Sequence, residues 1–158
     1  MRISIDNRQR LFRIDRVALR QVAADLAALA ATSRGASPWR EAIVILTDDA
    51  GMTNWNLRVM RHTGSTDVIS QCYEPLPNEP AGIRGELLVN VERAWQAGSE
   101  RRNWSSSHEL ALYVAHGFDH LNDAEDDSPA GRRRMRRREL RWLCRIRIPT
   151  LFSKFARQ

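Results

Sequence analysis

Cysteine is scarce in this chain. Cys72 and Cys144 are the only two in 158 residues, too few for a disulfide framework and with no CxxC pair for a structural zinc site. A reduced, cytoplasmic setting is expected. Long apolar runs are missing as well. None approaches the roughly 18 residues that would cross a membrane, and the opening MRISIDNRQRLF has no apolar core of a secretion signal. No internal repeat or linker interrupts the chain, so one domain over 1–158 is expected, acting as a monomer, with a basic C-terminal helix or tail over about 129–158. Hydrophobic residues at 42% and charged residues at 28% suit a soluble, globular protein with a real core.

What the chain does have is an uneven distribution of charge. The net charge is +6, and much of the excess sits in GRRRMRRRELRWLCRIR (131–147). Acids gather just upstream, at Asp123, Glu125, Asp126 and Asp127. Clustered arginines suit a phosphate-rich partner, because each contact releases condensed counterions. Arg132, Arg133, Arg136 and Arg137 are the natural phosphate contacts. The competing reading is a solvated helix face.

The periodicities give an α+β pattern. RISID (2–6) alternates as a half-buried strand does. DRVALRQVAADLAALAA (15–31) sets Leu19, Val22, Leu26 and Leu29 at helical spacing behind Asp15 as N-cap. TSRGASPW (32–39) reads as a loop. EAIVILT (41–47) reads as a buried strand, DDAGMTNWNLRVMRH (48–62) as a helix with a weak start, and TDVIS (66–70) as a strand. A proline-rich loop, YEPLPNEPAG, leads to the strand GELLVNV (85–91). Helices are expected around 91–97, from 108 onward, and over about 129–144.

Histidine is rare too, with four in the chain, and three of them fall within HELALYVAHGFDHLNDAEDD (108–127). Ser106 as N-cap with Glu109 three residues later forms a capping box. In the helix that follows, His116 and His120 lie one turn apart on one face, a spacing that lets two imidazoles reach one metal ion. His108 falls elsewhere on the wheel. Gly117 would let another strand or a ligand come close. Two imidazoles need a third ligand, and the acids after the helix can supply it.

At this point the chain resembles the YbeY endoribonucleases, the 16S ribosomal RNA maturation factors. Their pattern is H-G-x-x-H with a third histidine ten positions after the first. HGFDH supplies His116, Gly117 and His120, and the tenth position is Asp126, with Asp127 or Asp123 as alternatives. STDVIS (65–70) is similar to the family's TDVLSF strand, with Gln71 in place of phenylalanine. NLRVMRHTG (56–64) is similar to the helix end that carries an active-site arginine, and Arg61 matches it. GELLVNV is similar to a further family strand. The likeness runs from about residue 42 to 127.

The resemblance implies a small mixed sheet packed with helices, the histidine helix lining a cleft. It implies one Zn2+ per chain, or another divalent transition metal, held by His116, His120 and Asp126. Arg61 would be catalytic, and the activity would be cleavage of single-stranded RNA in rRNA maturation and ribosome assembly. The partners would be rRNA precursors and ribosomal particles. An aspartate in place of an imidazole lowers the charge of the centre by one, making bound water less acidic. Two outcomes follow: a nuclease with altered metal preference, or an RNA- or ribosome-binding protein that has lost turnover. Two histidines and a carboxylate also describe non-haem iron oxygenases, but no repeated-strand barrel pattern is present. A zinc protease is disfavoured because Gly117 stands where H-E-x-x-H has its Glu. Asp119 is a poor general acid, since on a helix it points away from His120.

Overall fold

The structure, a computed structural model, describes residues 1–34 and 39–153. Its elements in chain order are β1 (Arg2–Asn7), α1 (Arg16–Arg34), β2 (Trp39–Thr47), α2 (Asp49–Trp55), a single π-helical turn (Asn56–Met60), β3 (Val68–Tyr73), β4 (Ile83–Asn90), α3 (Val91–Glu100), α4 (Ser106–Leu121) and α5 (Pro129–Arg145). The loop expected over 32–39 is helical through Arg34 and strand from Trp39; residues 35–38, and 154–158 of the tail, lie outside the described residues.

The four strands form one mixed sheet in the order β1-β2-β4-β3. β1, β2 and β4 run parallel, and β3 is antiparallel to β4 with Val68 opposite Val89. This is the α+β arrangement expected. Strand alternation separates two cores. Ala42, Val44, Leu46, Leu87 and Val89 face the main core with α1, α4 and α5. Ile45 and Leu88 point the other way, onto Met52 of α2 and Ile69. The two-residue period of a strand is the cause.

α4 is the central helix. Twelve of its sixteen residues are buried, as expected of a helix that packs on the sheet and on α1, α3 and α5 together. The four that are not buried are Ser106, His108, His116 and His120. Gly117 lets the helix lie close to the sheet: a Cβ there would meet Leu87 Cδ2 at 2.8 Å and Val68 Cγ2 at 3.2 Å. Gly98 does the same between α3 and α4, where a Cβ would meet the Ser106 backbone at 2.4 Å.

Two caps differ from expectation. The N-cap of α4 is Ser105, whose Oγ accepts from the His108 N–H at 3.1 Å. Glu109 is therefore one position too late for a capping box, and its carboxylate instead accepts from Trp104 Nε1 (2.7 Å) and Arg101 (3.0 Å). The start of α2 is firm, because Asp48 caps it by accepting from the Gly51 N–H at 2.8 Å. Asp15 caps α1 as expected, accepting from the Ala18 N–H.

α5 is anchored by a pair whose acid, Asp119, is buried and whose Arg138 is partly buried. Arg138 lies against both carboxylate oxygens of Asp119, with contacts of 2.7–3.1 Å, and its guanidinium stands over the Trp142 ring. Breaking such a pair costs on the order of 3 kcal/mol, because it leaves a buried charge uncompensated. After α5 the chain returns to the start of the molecule. The Asp15 N–H donates to Leu151 O, the Ser153 N–H donates to Arg13 O, and the Leu151 N–H donates to Ser107 Oγ near the start of α4.

Candidate metal centre

α4 delivers His116 and His120 to one side of its C-terminal end. The chain then turns back sharply: Ala124 N–H donates to Asp119 O, and Asp123 takes a left-handed conformation with φ 64°. Ser128 caps α5, and Arg132 donates to the Asp126 carbonyl at 3.0 Å. This fold-back sets Asp126 over the histidines. His116 Nε2 and His120 Nε2 are 3.1 Å apart, and Asp126 Oδ2 lies 3.8 and 3.6 Å from them. Among the described residues these three form a group of side chains that could hold a metal ion.

The donor set fits a small divalent cation. Tetrahedral ligands at about 2.0–2.1 Å from zinc stand roughly 3.3–3.4 Å from each other, and the three measured separations bracket that spacing. The outer nitrogens fix the tautomers. His116 Nδ1 is 2.7 Å from Glu139 Oε1, and His120 Nδ1 is 3.0 Å from Ala124 O. Both acceptors require a proton on Nδ1, which leaves a lone pair on each Nε2. Two lone pairs facing each other at 3.1 Å repel unless a cation or proton lies between them. A carboxylate or carbonyl behind each imidazole is also the usual support of a metal-bound histidine.

Electrostatics at His116 follow from the same neighbours. Burial pushes its pKa down, but the hydrogen bond and charge of Glu139, with the charges of Asp67 and Asp126, outweigh it and the net shift is upward. Glu139 is 1% exposed, so its carboxylate acts on His116 with little screening.

The centre opens onto a groove of about 840 Å³. Its lining includes His120 and Leu121 of α4, Val68, Ser70 and Cys72 of β3, and Arg61, His62 and Thr63 after the π-helical turn. Arg61 is thus exposed on the same groove as His120. It ends the π-helical turn in a left-handed conformation, φ 54°, an uncommon state for a residue with a side chain. The rim is tied down behind it. Asn56 Nδ2 donates to Gly64 O, and buried Asn90 lies within hydrogen-bond distance of Asp49, Ser65 and Thr66 O. The Ser65 hydroxyl, then Asn90, hold the Asp49 carboxyl below its usual range. Cys72 stays a thiol at neutral pH, since burial and then the Asp123 and Glu74 charges push its pKa up.

The structure therefore brings His116, His120 and Asp126 together and places Arg61 in the lining of the groove that His120 shares. Asp127 and Asp123 do not join the group. Asp119 is buried against Arg138 and takes no part. Arg132, read from sequence as a free phosphate contact, is committed to the Asp126 loop. Glu139 was missed altogether. Its signal was present: it is the lone acid inside an arginine run, four residues after Met135 and so on the buried side of the helix.

These features define a class: small α+β proteins that present two helical histidines and a facing carboxylate at the mouth of a groove. The chain belongs to the YbeY family, for the family model described as Endoribonuclease YbeY matches residues 4–147. Relatives named Endoribonuclease YbeY include one from Rhodopirellula baltica, 38% identical over 126 residues, which cover 79% of this chain and 61% of that protein. Another, from Salinibacter ruber, is 33% identical over 105 residues, 63% of this chain and 66% of that protein. A third, from Moorella thermoacetica, is 30% identical over 147 residues, 88% of this chain and 93% of that protein. The chain thus spans slightly under two thirds of the first two relatives. The solution structure of a Thermotoga maritima protein shares the fold, with a TM-score of 0.55 at 18% identity over 89% of this chain and 85% of that one. Among the described residues, no helix is long and apolar enough to cross a membrane.

Proposed function

We propose that this protein is a metal-dependent, single-strand-specific endoribonuclease acting in rRNA maturation and ribosome assembly. In this reading it is a cytoplasmic monomer that holds one Zn2+, or another divalent transition metal, on His116, His120 and Asp126. The observation that carries the reading is the convergence of the two Nε2 atoms and one carboxylate oxygen within 3.1–3.8 Å of each other. A bound ion would supply Lewis-acid polarisation of a phosphoryl oxygen and a more acidic water.

The chain supplies the rest. Glu139 and the Ala124 carbonyl hold the two imidazoles in the tautomer that presents Nε2. Arg61 reaches a phosphate in the groove with a planar, two-pronged donor and offsets charge that builds in the transition state. The Asn56–Gly64 hydrogen bond and the network around Asn90 tie down the ends of the segment that carries Arg61. Family membership and the names of the relatives support RNA as substrate.

A carboxylate ligand favours a second reading, an RNA- or ribosome-binding protein with weak or lost catalysis, because Asp126 lowers the charge available to acidify water. One experiment separates them. Protein purified without chelator is assayed for metal content and for cleavage of unstructured and structured RNA. About one ion per chain and cutting of the unstructured strand are expected. Ion without cutting selects the binding protein. If His116→Ala/His120→Ala retains as much metal as the parent, the site is misassigned.

A further inference from the structure

α5 has two faces. The inward face carries Met135, Glu139 and Trp142, and Glu139 closes on His116. The outward face carries Arg133, Arg137, Arg141 and Arg145, all exposed. Successive members are four residues apart, so they rise roughly 6 Å per step and the row runs about 18 Å. Among the described residues, none of the four makes a hydrogen bond or ion pair. Like charges at this spacing repel and weaken a helix. The acids on or beside α5 do not relieve them, because Asp119 is held by Arg138 and Glu139 by His116. Arg132 and Arg134 stand outside the row: the first donates to Asp126 O, and the second lines a recess with Asp123 and Glu125.

We propose that the solvent face of α5 is a docking surface for the phosphate backbone of RNA, separate from the groove at His120. The proposal deepens the RNA reading and rests on it. None of the four arginines lines the groove, so an RNA held along α5 leaves the groove free for the strand to be cut. A row of unneutralised guanidinium groups matches a ligand whose negative charge repeats along its length. Arginine meets a phosphate bidentately. Contacts of this kind position the nucleic acid and carry no sequence preference. An anionic membrane is the competing polyanion, but a helix lying on a lipid surface also offers large apolar side chains for burial. The exposed large hydrophobics are elsewhere in the molecule, with none on α5.

The test is binding of the metal-loaded protein to a labelled 2′-O-methyl RNA 20-mer, which keeps every phosphate and resists cutting, from 50 to 200 mM salt. Each lost phosphate contact lowers the slope of log affinity against log salt by about 0.7–0.9, so Arg133→Gln/Arg137→Gln/Arg141→Gln/Arg145→Gln should flatten it by about 3. The four Arg→Lys changes should keep the slope. Glutamine is a good helix former and the changes remove repulsion, so the melting temperature should match or exceed that of the parent. The two-residue variant Arg133→Gln/Arg137→Gln should give about half the effect. Metal content and cleavage of a saturating RNA hexamer should be unchanged. An unchanged slope overturns the proposal. So does a variant that keeps RNA binding but no longer binds vesicles containing 30% phosphatidylserine, which makes the face a membrane surface. If the parent cuts no RNA, the nuclease reading fails, while the slope still decides the role of α5.

Discussion

Glu139→Gln tests whether the metal centre extends to α5. The substitution keeps the size of the side chain and an oxygen that can accept from His116 Nδ1, and removes only the charge. Loss of such an outer partner typically weakens metal binding 10–100-fold, which corresponds to about 1.4–2.8 kcal/mol. The lower part of that range is expected, because the glutamine oxygen still accepts from His116 Nδ1 and only the charge of the buried carboxylate is lost. The assay is zinc affinity of stripped protein by chelator competition, with circular dichroism as a check on folding. The pH dependence adds a second readout. The raised pKa of His116 stabilises the metal-free fold below the ordinary histidine value of about 6.5, and this stability is lost as pH rises through the folded value. Metal-free parent should therefore melt at lower temperature at pH 8 than at pH 6, and the drop should shrink in Glu139→Gln, where burial again pushes His116 downward. Zinc affinity within twofold of the parent, with the same pH dependence of melting, would refute the role assigned to Glu139.

Asp126→Ala should bind metal more weakly than Glu139→Gln does, because a ligand and not its support is lost. Asp126→His should keep the ion and move the rising limb of the cleavage–pH profile to lower pH; Asp126→Ala equal to the parent in both metal content and cleavage would remove Asp126 from the ligand set. Arg61→Gly relieves the left-handed backbone, so it should be neutral or stabilising by up to about 1 kcal/mol in urea unfolding. Cleavage should still fall on the order of 100-fold, and an unchanged rate would make Arg61 a turn residue only. Gly98→Ala should destabilise by about 2–3 kcal/mol, since its Cβ meets backbone, and Gly117→Ala by about 1 kcal/mol, since Leu87 side-chain carbons can give slightly. Equal costs in urea unfolding would show that the close approaches do not decide.

Local signals were legible where one force dominated. Strand alternation in RISID and the apolar run EAIVILT each gave a strand, because burial of one or both faces is written in the side chains themselves. The pair His116 and His120 could be placed on one face because helical geometry is fixed. Contacts made across long stretches of sequence were not legible. Glu139 meets His116 because α5 docks on α4 through the Arg138–Asp119 pair and the apolar side chains Trp142 and Leu143, and nothing local to residues 131–147 names that partner. The cap of α4 went to Ser105 and not Ser106 because Glu109 found Trp104 and Arg101, partners outside the capping motif. The π-helical turn at 56–60 arises from the carbonyl of Asn56, which accepts from both the Arg61 and His62 N–H groups, an effect with no periodic signature.

The return of residues 151–153 to Arg13, Asp15 and Ser107 has a consequence for the order in which the molecule comes into being. Synthesis delivers His116, His120 and Asp126 before α5 exists. At that stage His116 has no carboxylate behind it, and the buried Asp119 has no Arg138. The Ser107 hydroxyl, near the start of the histidine helix, waits longer still for the N–H of Leu151. Domains fold largely as units once their contacts are available, and here the contact that steadies His116 waits for α5. A growing chain thus passes through a period with its three ligand side chains made but His116 without its carboxylate, and firm metal capture is timed to the arrival of α5.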